Sequence, residues 1–94
     1  MTRSDLSFSC VLVRQPKGYT AICLDLDVAS EGNTASRAKL MLQEAVELYL
    51  DSAIENNLPY LRPIPKSEDP RFVDPDSILE TFNLRMDLAV QVHA

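Results

Sequence analysis

The apolar residues of this chain change their period twice. They recur at every second position near both ends and at every third or fourth position between, which confines the fold to strands flanking one helix. The first segment, residues 5–14, alternates Leu6, Phe8, Cys10 and Leu12 against Ser7, Ser9, Val11 and Val13. Pro16 and Gly18 then supply turn chemistry, and residues 19–26 form the returning strand. A three-residue hairpin loop would set Gln15 opposite Tyr19, Leu12 opposite Ile22 and Cys10 opposite Leu24. That register places Cys10 and Cys23 on opposite faces and argues against a disulfide. A short third strand covers residues 28–31, Gly32-Asn33 turns the chain, and Thr34 is a good N-cap.

Residues 35–56 read as one helix of roughly 33 Å. Ala38, Met41, Leu42, Ala45, Leu48, Tyr49 and Ala53 fall on one stripe; Arg37, Glu44, Asp51 and Glu55 fall opposite. Its charges run against the helix dipole, with Arg37 and Lys39 near the start and Asp51 and Glu55 near the end. Leu40, Leu50 and Ile54 form an apolar flank that something must cover. The following residues, 58–78, carry five prolines and no periodicity. A loop of this length needs a reason: Leu58, Tyr60, Leu61, Ile64, Phe72 and Val73 can strap the helix flank, or form a docking arm. The strap is the favoured reading. Residues 81–92 give the cleanest alternation, with Phe82, Leu84, Met86, Leu88, Val90 and Val92 on one face.

The element order is therefore β-β-β-α-β in a single domain, residues 1–94. A right-handed crossover would bring the last strand parallel to the first. The fold class is α+β: a four-stranded mixed sheet of order 3-2-1-4 with one long helix on one face. On this register Val11, Val13, Tyr19, Ala21 and Cys23 line an open, apolar sheet face, and Asp25, Asp27 and Glu31 form its acidic rim. These eight residues are the candidate partner-binding site.

Fourteen acidic against nine basic residues, a net charge of -5, argue against nucleic-acid binding through a basic face and suit a basic partner. No signal peptide and no membrane span is legible, and two free cysteines fit a cytoplasmic protein. The carboxylates of "LDLDVASEGNT" fail as a calcium loop: counting from Asp25, the fifth, sixth and twelfth positions are Ala29, Ser30 and Ser36. Cysteine and histidine are too few for a zinc centre, and the lone His93 sits at the end of the chain. No cofactor or metal is expected. The order of elements is similar to the ribonuclease H framework. Its metal-binding carboxylates are poorly matched here, with Asp5, Glu44, Glu47 and Asp87 in the wrong places, so no catalytic residue is assigned and the chain is not expected to be an enzyme.

The run "GYTAICLDLDVASEGNT" followed by "KLMLQEAVELYLD" resembles the HicB-like antitoxin family. The matching positions are Cys23, Leu26, Ala29, Ser30, Gly32, Thr34, Glu44, Ala45, Glu47, Leu48, Tyr49 and Leu50. The resemblance spans Gly18 to Asp51 well and the last strand loosely. It implies a prokaryotic toxin-antitoxin system, a partial ribonuclease H-like fold with a degenerate nuclease site, and neutralisation by occlusion of a small basic toxin that cleaves messenger RNA. The DNA-binding domain that many members append is not expected after the last strand. "TASRAK" replaces the family's acidic helix start, which would change partner choice if that end docks the toxin. A homodimer or higher homo-oligomer is expected. The alternative is an orphan homo-oligomeric module with another protein or small-ligand partner.

Overall fold

The computed structural model describes the backbone of residues 2–90 and the side chains of residues 6–86. His93 and the end of the expected last strand lie outside the described residues, as do the side chains of Asp5 and Asp87. Four strands, β1 (Thr2–Gln15), β2 (Gly18–Cys23), β3 (Val28–Gly32) and β4 (Ile78–Val90), form one sheet of order β3-β2-β1-β4. The long helix α1 spans Ala35–Glu55, and a single helical turn α2 spans Pro70–Val73.

Every strand pair is antiparallel, β1 with β4 included. The sheet is thus not mixed, and the expected parallel crossover is corrected. The reason is the path of residues 56–77. α1 carries the chain down one side of the sheet, and the proline-rich segment carries it back up the other side before β4 begins. β4 therefore starts opposite Val13, near the hairpin, and runs down against β1.

The β1–β2 register also differs from the expected one by a single residue. Gln15 pairs with Gly18, so the loop is only Pro16-Lys17, and Leu12 faces Ala21 while Cys10 faces Cys23. The pyrrolidine ring of Pro16 excludes the positive φ of the mirror-image turns. Gly18, at φ +144, absorbs the resulting twist, and a Cβ there would lie 2.8 Å from the Gly32 carbonyl oxygen. The expected register assumed one buried face. Both faces are buried here, so spreading apolar residues over both costs nothing.

On the helix side, Phe8, Cys10, Leu12, Ala21, Cys23, Leu26 and Met86 pack with Ala38, Leu42, Val46 and Leu50. The helix stripe is thus rotated from the expected one: Val46 and Leu50 are core, while Leu48 is 72% exposed. On the other side, Val11, Val13 and Leu24 pack with Ile22, Ile64 and Ile78. The proline-rich segment is a strap that begins against the helix, where Tyr60 packs on the helix-side core, and goes on to cover the other sheet face through Ile64. Leu40 and Ile54 on the helix flank stay exposed.

Both ends of α1 are closed by their own sequence. Thr34 accepts a hydrogen bond from the Arg37 N–H at 3.1 Å, as its N-cap assignment requires. At the other end Asn57 takes φ 55, the Leu58 N–H donates to the Ala53 carbonyl and the Asn57 N–H donates to the Ile54 carbonyl. This pair of bonds is a Schellman motif, with Asn in the left-handed position usually held by Gly.

Candidate interaction surfaces

The eight residues expected to form one partner site are not brought together. Ala21 and Cys23 lie fully buried under α1, with Tyr19 packed against the same core. Val11 and Val13 lie under the strap on the opposite face. The open apolar sheet face inferred from the sequence is therefore absent at these residues, because the one-residue register change divides them and each half is covered.

The three acids are separated too. Asp25 lies in the turn after β2, where its Oδ2 accepts a hydrogen bond from the Ser9 N–H at 2.8 Å. Glu31 lies near the hairpin end of the sheet, opposite Thr20. Asp27 is exposed and holds φ 54, a left-handed conformation that Asp tolerates better than most residues. No continuous acidic rim results.

The turn at Leu24–Asp27 instead latches the strap. The carbonyls of Leu24 and Asp25 accept from the Ile64 and Arg62 N–H groups at 2.8 and 3.0 Å. The Arg62 Nε–H reaches the Leu26 carbonyl at 3.3 Å, with the guanidinium 5.1 Å from the Tyr49 ring centroid. The Tyr49 hydroxyl donates to the Tyr60 carbonyl at 2.7 Å, fixing the strap's start to the helix.

Farther along, Asp69 is 2% exposed and accepts from the Arg71 backbone N–H at 2.9 Å and from its guanidinium at 2.6 Å. These bonds hold the Asp69 carboxyl below the usual carboxylate range, against the opposing effect of burial. Asp69 thereby caps α2 and satisfies its own buried charge.

Cys10 and Cys23 are free, buried and directly cross-strand. Because the Leu24 N–H bonds the Ser9 carbonyl, the Cys10–Cys23 pair is a non-hydrogen-bonded pair, whose side chains come closest. Contact with Cys23, then burial, pushes the Cys10 thiol up, while the same contact lowers Cys23; the Cys10 Sγ–H donates to the Phe8 carbonyl at 3.6 Å. The expectation that the cysteines occupy opposite faces is corrected. Among the described residues no group of three or more His, Cys, Asp or Glu side chains is placed to hold a metal ion. No helix of the described residues is long and apolar enough to cross a membrane.

The exposed outer side of α1 combines an apolar residue with acids. Glu44, Glu47, Leu48, Asp51 and Glu55 are all exposed there, and Leu48 is the most exposed large apolar residue among the described residues. α1 has no basic residue in its last turn, so Asp51 and Glu55 add to the negative end of the helix dipole. A second apolar group lies on the strap, where Leu58, Leu61, Phe72 and Val73 are exposed. Two cations, Lys66 and Arg71, sit 4.8 and 5.8 Å from the centroid of the Phe72 ring. Sequence reasoning had put Leu48 in the core; its neighbours Glu44, Glu47 and Asp51 were the signal that this sector of the helix faces out.

Nine of the twelve positions that carry the sequence resemblance divide into two groups. Cys23, Leu26 and Leu50 are core, Thr34 caps α1, and the Ser30 hydroxyl donates to the Met41 carbonyl at 3.2 Å. Gly32 is required by contact, since a Cβ there would lie 2.5 Å from the Ala38 nitrogen. Glu44, Glu47 and Leu48 are exposed, and the fold makes little use of them. Searches against protein-family models, curated proteins and solved structures found no match to this chain.

Proposed function

We propose that this chain is a protein-binding module that works by covering its partner and not by catalysis. Within that class, the reading that the sequence resemblance supports is a HicB-type antitoxin, acting in the cytoplasm of a prokaryote on a small basic toxin that cleaves messenger RNA. The observation that carries the reading is the outer side of α1: Leu48, 72% exposed, lies among Glu44, Glu47, Asp51 and Glu55. An exposed leucine offers an apolar anchor. The surrounding carboxylates steer a basic protein and exclude an acidic one. The net charge of -5 acts in the same direction at longer range. Docking on α1 replaces docking on the sheet face, whose residues are buried.

The test is genetic and then physical. A short reading frame next to this gene, encoding a basic protein, is co-expressed with it. The antitoxin reading expects growth to be restored and the two products to co-purify. If neither happens, it fails. The double variant Glu44→Lys/Leu48→Asp should keep its fold, because both positions are exposed, and should lose the complex.

The strap favours a second reading, an orphan binding module for another protein. Leu58, Leu61, Phe72 and Val73 give it an apolar surface of its own. That reading gains if no such neighbouring gene exists and if Leu61→Asp, with α1 intact, abolishes capture of the partner. In both readings the chain works as a homo-oligomer.

A further inference from the structure

The two outer edges of the sheet are protected very differently. β3 is five residues long and packs beneath α1, with Ser30 bonded to the helix backbone. An edge this short is a poor template for a further strand. β4 is 13 residues long, and β1 is its only strand partner among the described residues. Its sequence, "ILETFNLRMDLAV", holds no Pro or Lys, and its charged residues, Glu80, Arg85 and Asp87, are spaced so that Thr81 to Leu84 carry none. One irregularity, between Leu12 and Val13 on β1, affects only its first turn of pairing.

The direction of the free backbone groups follows from the ladder. The Leu24 N–H bonds the Ser9 carbonyl, so odd-numbered residues of β1 aim their backbone groups at β2 and even-numbered residues aim theirs at β4. Cys10 pairs with Phe82 and Phe8 with Leu84, so the intervening Thr81 and Asn83 aim N–H and C=O away from β1. Both are exposed.

We propose that the β4 edge is the contact for a second copy of this chain, joined antiparallel about a two-fold axis near Phe82 to make one continuous eight-stranded sheet. The occupant is a second copy because antiparallel pairing of a strand with itself satisfies both edges with the same residues. A two-fold at Phe82 sets Thr81 opposite Asn83 of the other copy, twice, and brings two half-buried Phe82 rings together across the junction. Cross-strand aromatic pairs and hydroxyl or amide pairs both favour such a register. The register also avoids setting Glu80 or Arg85 against its own copy. On the helix side Lys39, bridged to Glu80 at 2.5 Å and 5.0 Å from the Phe82 ring centroid, flanks the junction without blocking the edge. The contact deepens the homo-oligomer part of the proposed function and is independent of any toxin.

The experiment measures the mass of the purified chain in solution across micromolar concentrations. The expected result is twice the 10.5 kDa chain mass. Asn83→Pro removes an outward N–H without breaking the β1–β4 ladder, since edge strands accept proline at such positions. It should give the single-chain mass with an unchanged circular dichroism spectrum. Ser7→Pro, on the part of β1 that extends past β2, should leave the dimer intact. Hydrogen exchange on the natural chain gives a readout free of folding defects: the Thr81 and Asn83 amides should be slowed as concentration rises. A single-chain mass at every concentration overturns both the dimer and the homo-oligomer reading. A dimer that survives Asn83→Pro, or that Ser7→Pro abolishes, overturns the β4 contact and leaves oligomerisation standing. Slowing of these amides only when a basic partner is added overturns the second copy as occupant and assigns the edge to that partner.

Discussion

The two faces of the sheet are buried by different means. On one face α1 lays a regular stripe, Ala38, Leu42, Val46 and Leu50, along the sheet core. On the other, a segment without periodicity is held by a few discrete contacts: the Ile64 and Arg62 N–H groups on the Leu24–Asp25 carbonyls, the Arg62 guanidinium on the Leu26 carbonyl, and Ile64 itself. A regular element distributes its stability over many similar contacts. A strap concentrates it at a few latches, so the strap face should open first and more cheaply.

The largest effect that would break this contrast is on the helix face. Leu42→Ala leaves a cavity in a fully buried site and should cost about 3 kcal/mol, read as a shift in the denaturation midpoint. Ile64→Ala, half-buried on the strap, should cost about 1.5 kcal/mol. Equal costs would mean that the strap is as integral as the helix. The buried thiols offer a sharper version, since Cys10 and Cys23 both lie on the helix side. Leu42→Ala should speed their labelling by an aromatic disulfide reagent, and Ile64→Ala should leave the rate unchanged. Labelling accelerated by Ile64→Ala would mean that the two faces open together.

A smaller effect concerns the Asp69 cap of α2 within the strap. Asp69→Asn weakens the α2 cap and the Arg71 pair and should cost about 1 kcal/mol at neutral pH. Because Arg71 holds the folded carboxyl below its ordinary value, this stabilisation is complete above the unfolded pKa, about 3.9, and is lost as pH falls through the depressed folded value. The difference between the natural chain and the variant should therefore shrink in strong acid. A difference that persists there would assign the cap to packing alone. The smallest effect on stability is at Leu48: Leu48→Asp should shift it by less than about 0.5 kcal/mol, since the residue is exposed. A larger loss would show that α1 buries this side chain at home and does not offer it to a partner.

Much of the fold was legible because its signals are local. The alternation of residues 5–14 and 81–92 and Thr34 as a cap depend on neighbouring residues only, and each element forms within a few residues of where the pattern puts it. The hairpin register was not legible. It depended on whether one face or two would be buried, and the cover for the second face comes from a strap some forty residues downstream. The same omission displaced the candidate site, since Tyr19, Ala21 and Cys23 change faces with a one-residue slip.

By itself, then, the sequence determined the kind and order of elements, the start of the helix and the acidic character. Only the tertiary structure decided that β4 runs antiparallel, that Cys10 faces Cys23, that Asp25 serves as a latch and that Leu48 faces out. Periodicity states which residues share a side of an element. Which side is buried is set by what the rest of the chain lays over it, and a proline-rich strap carries no periodicity from which to read its path.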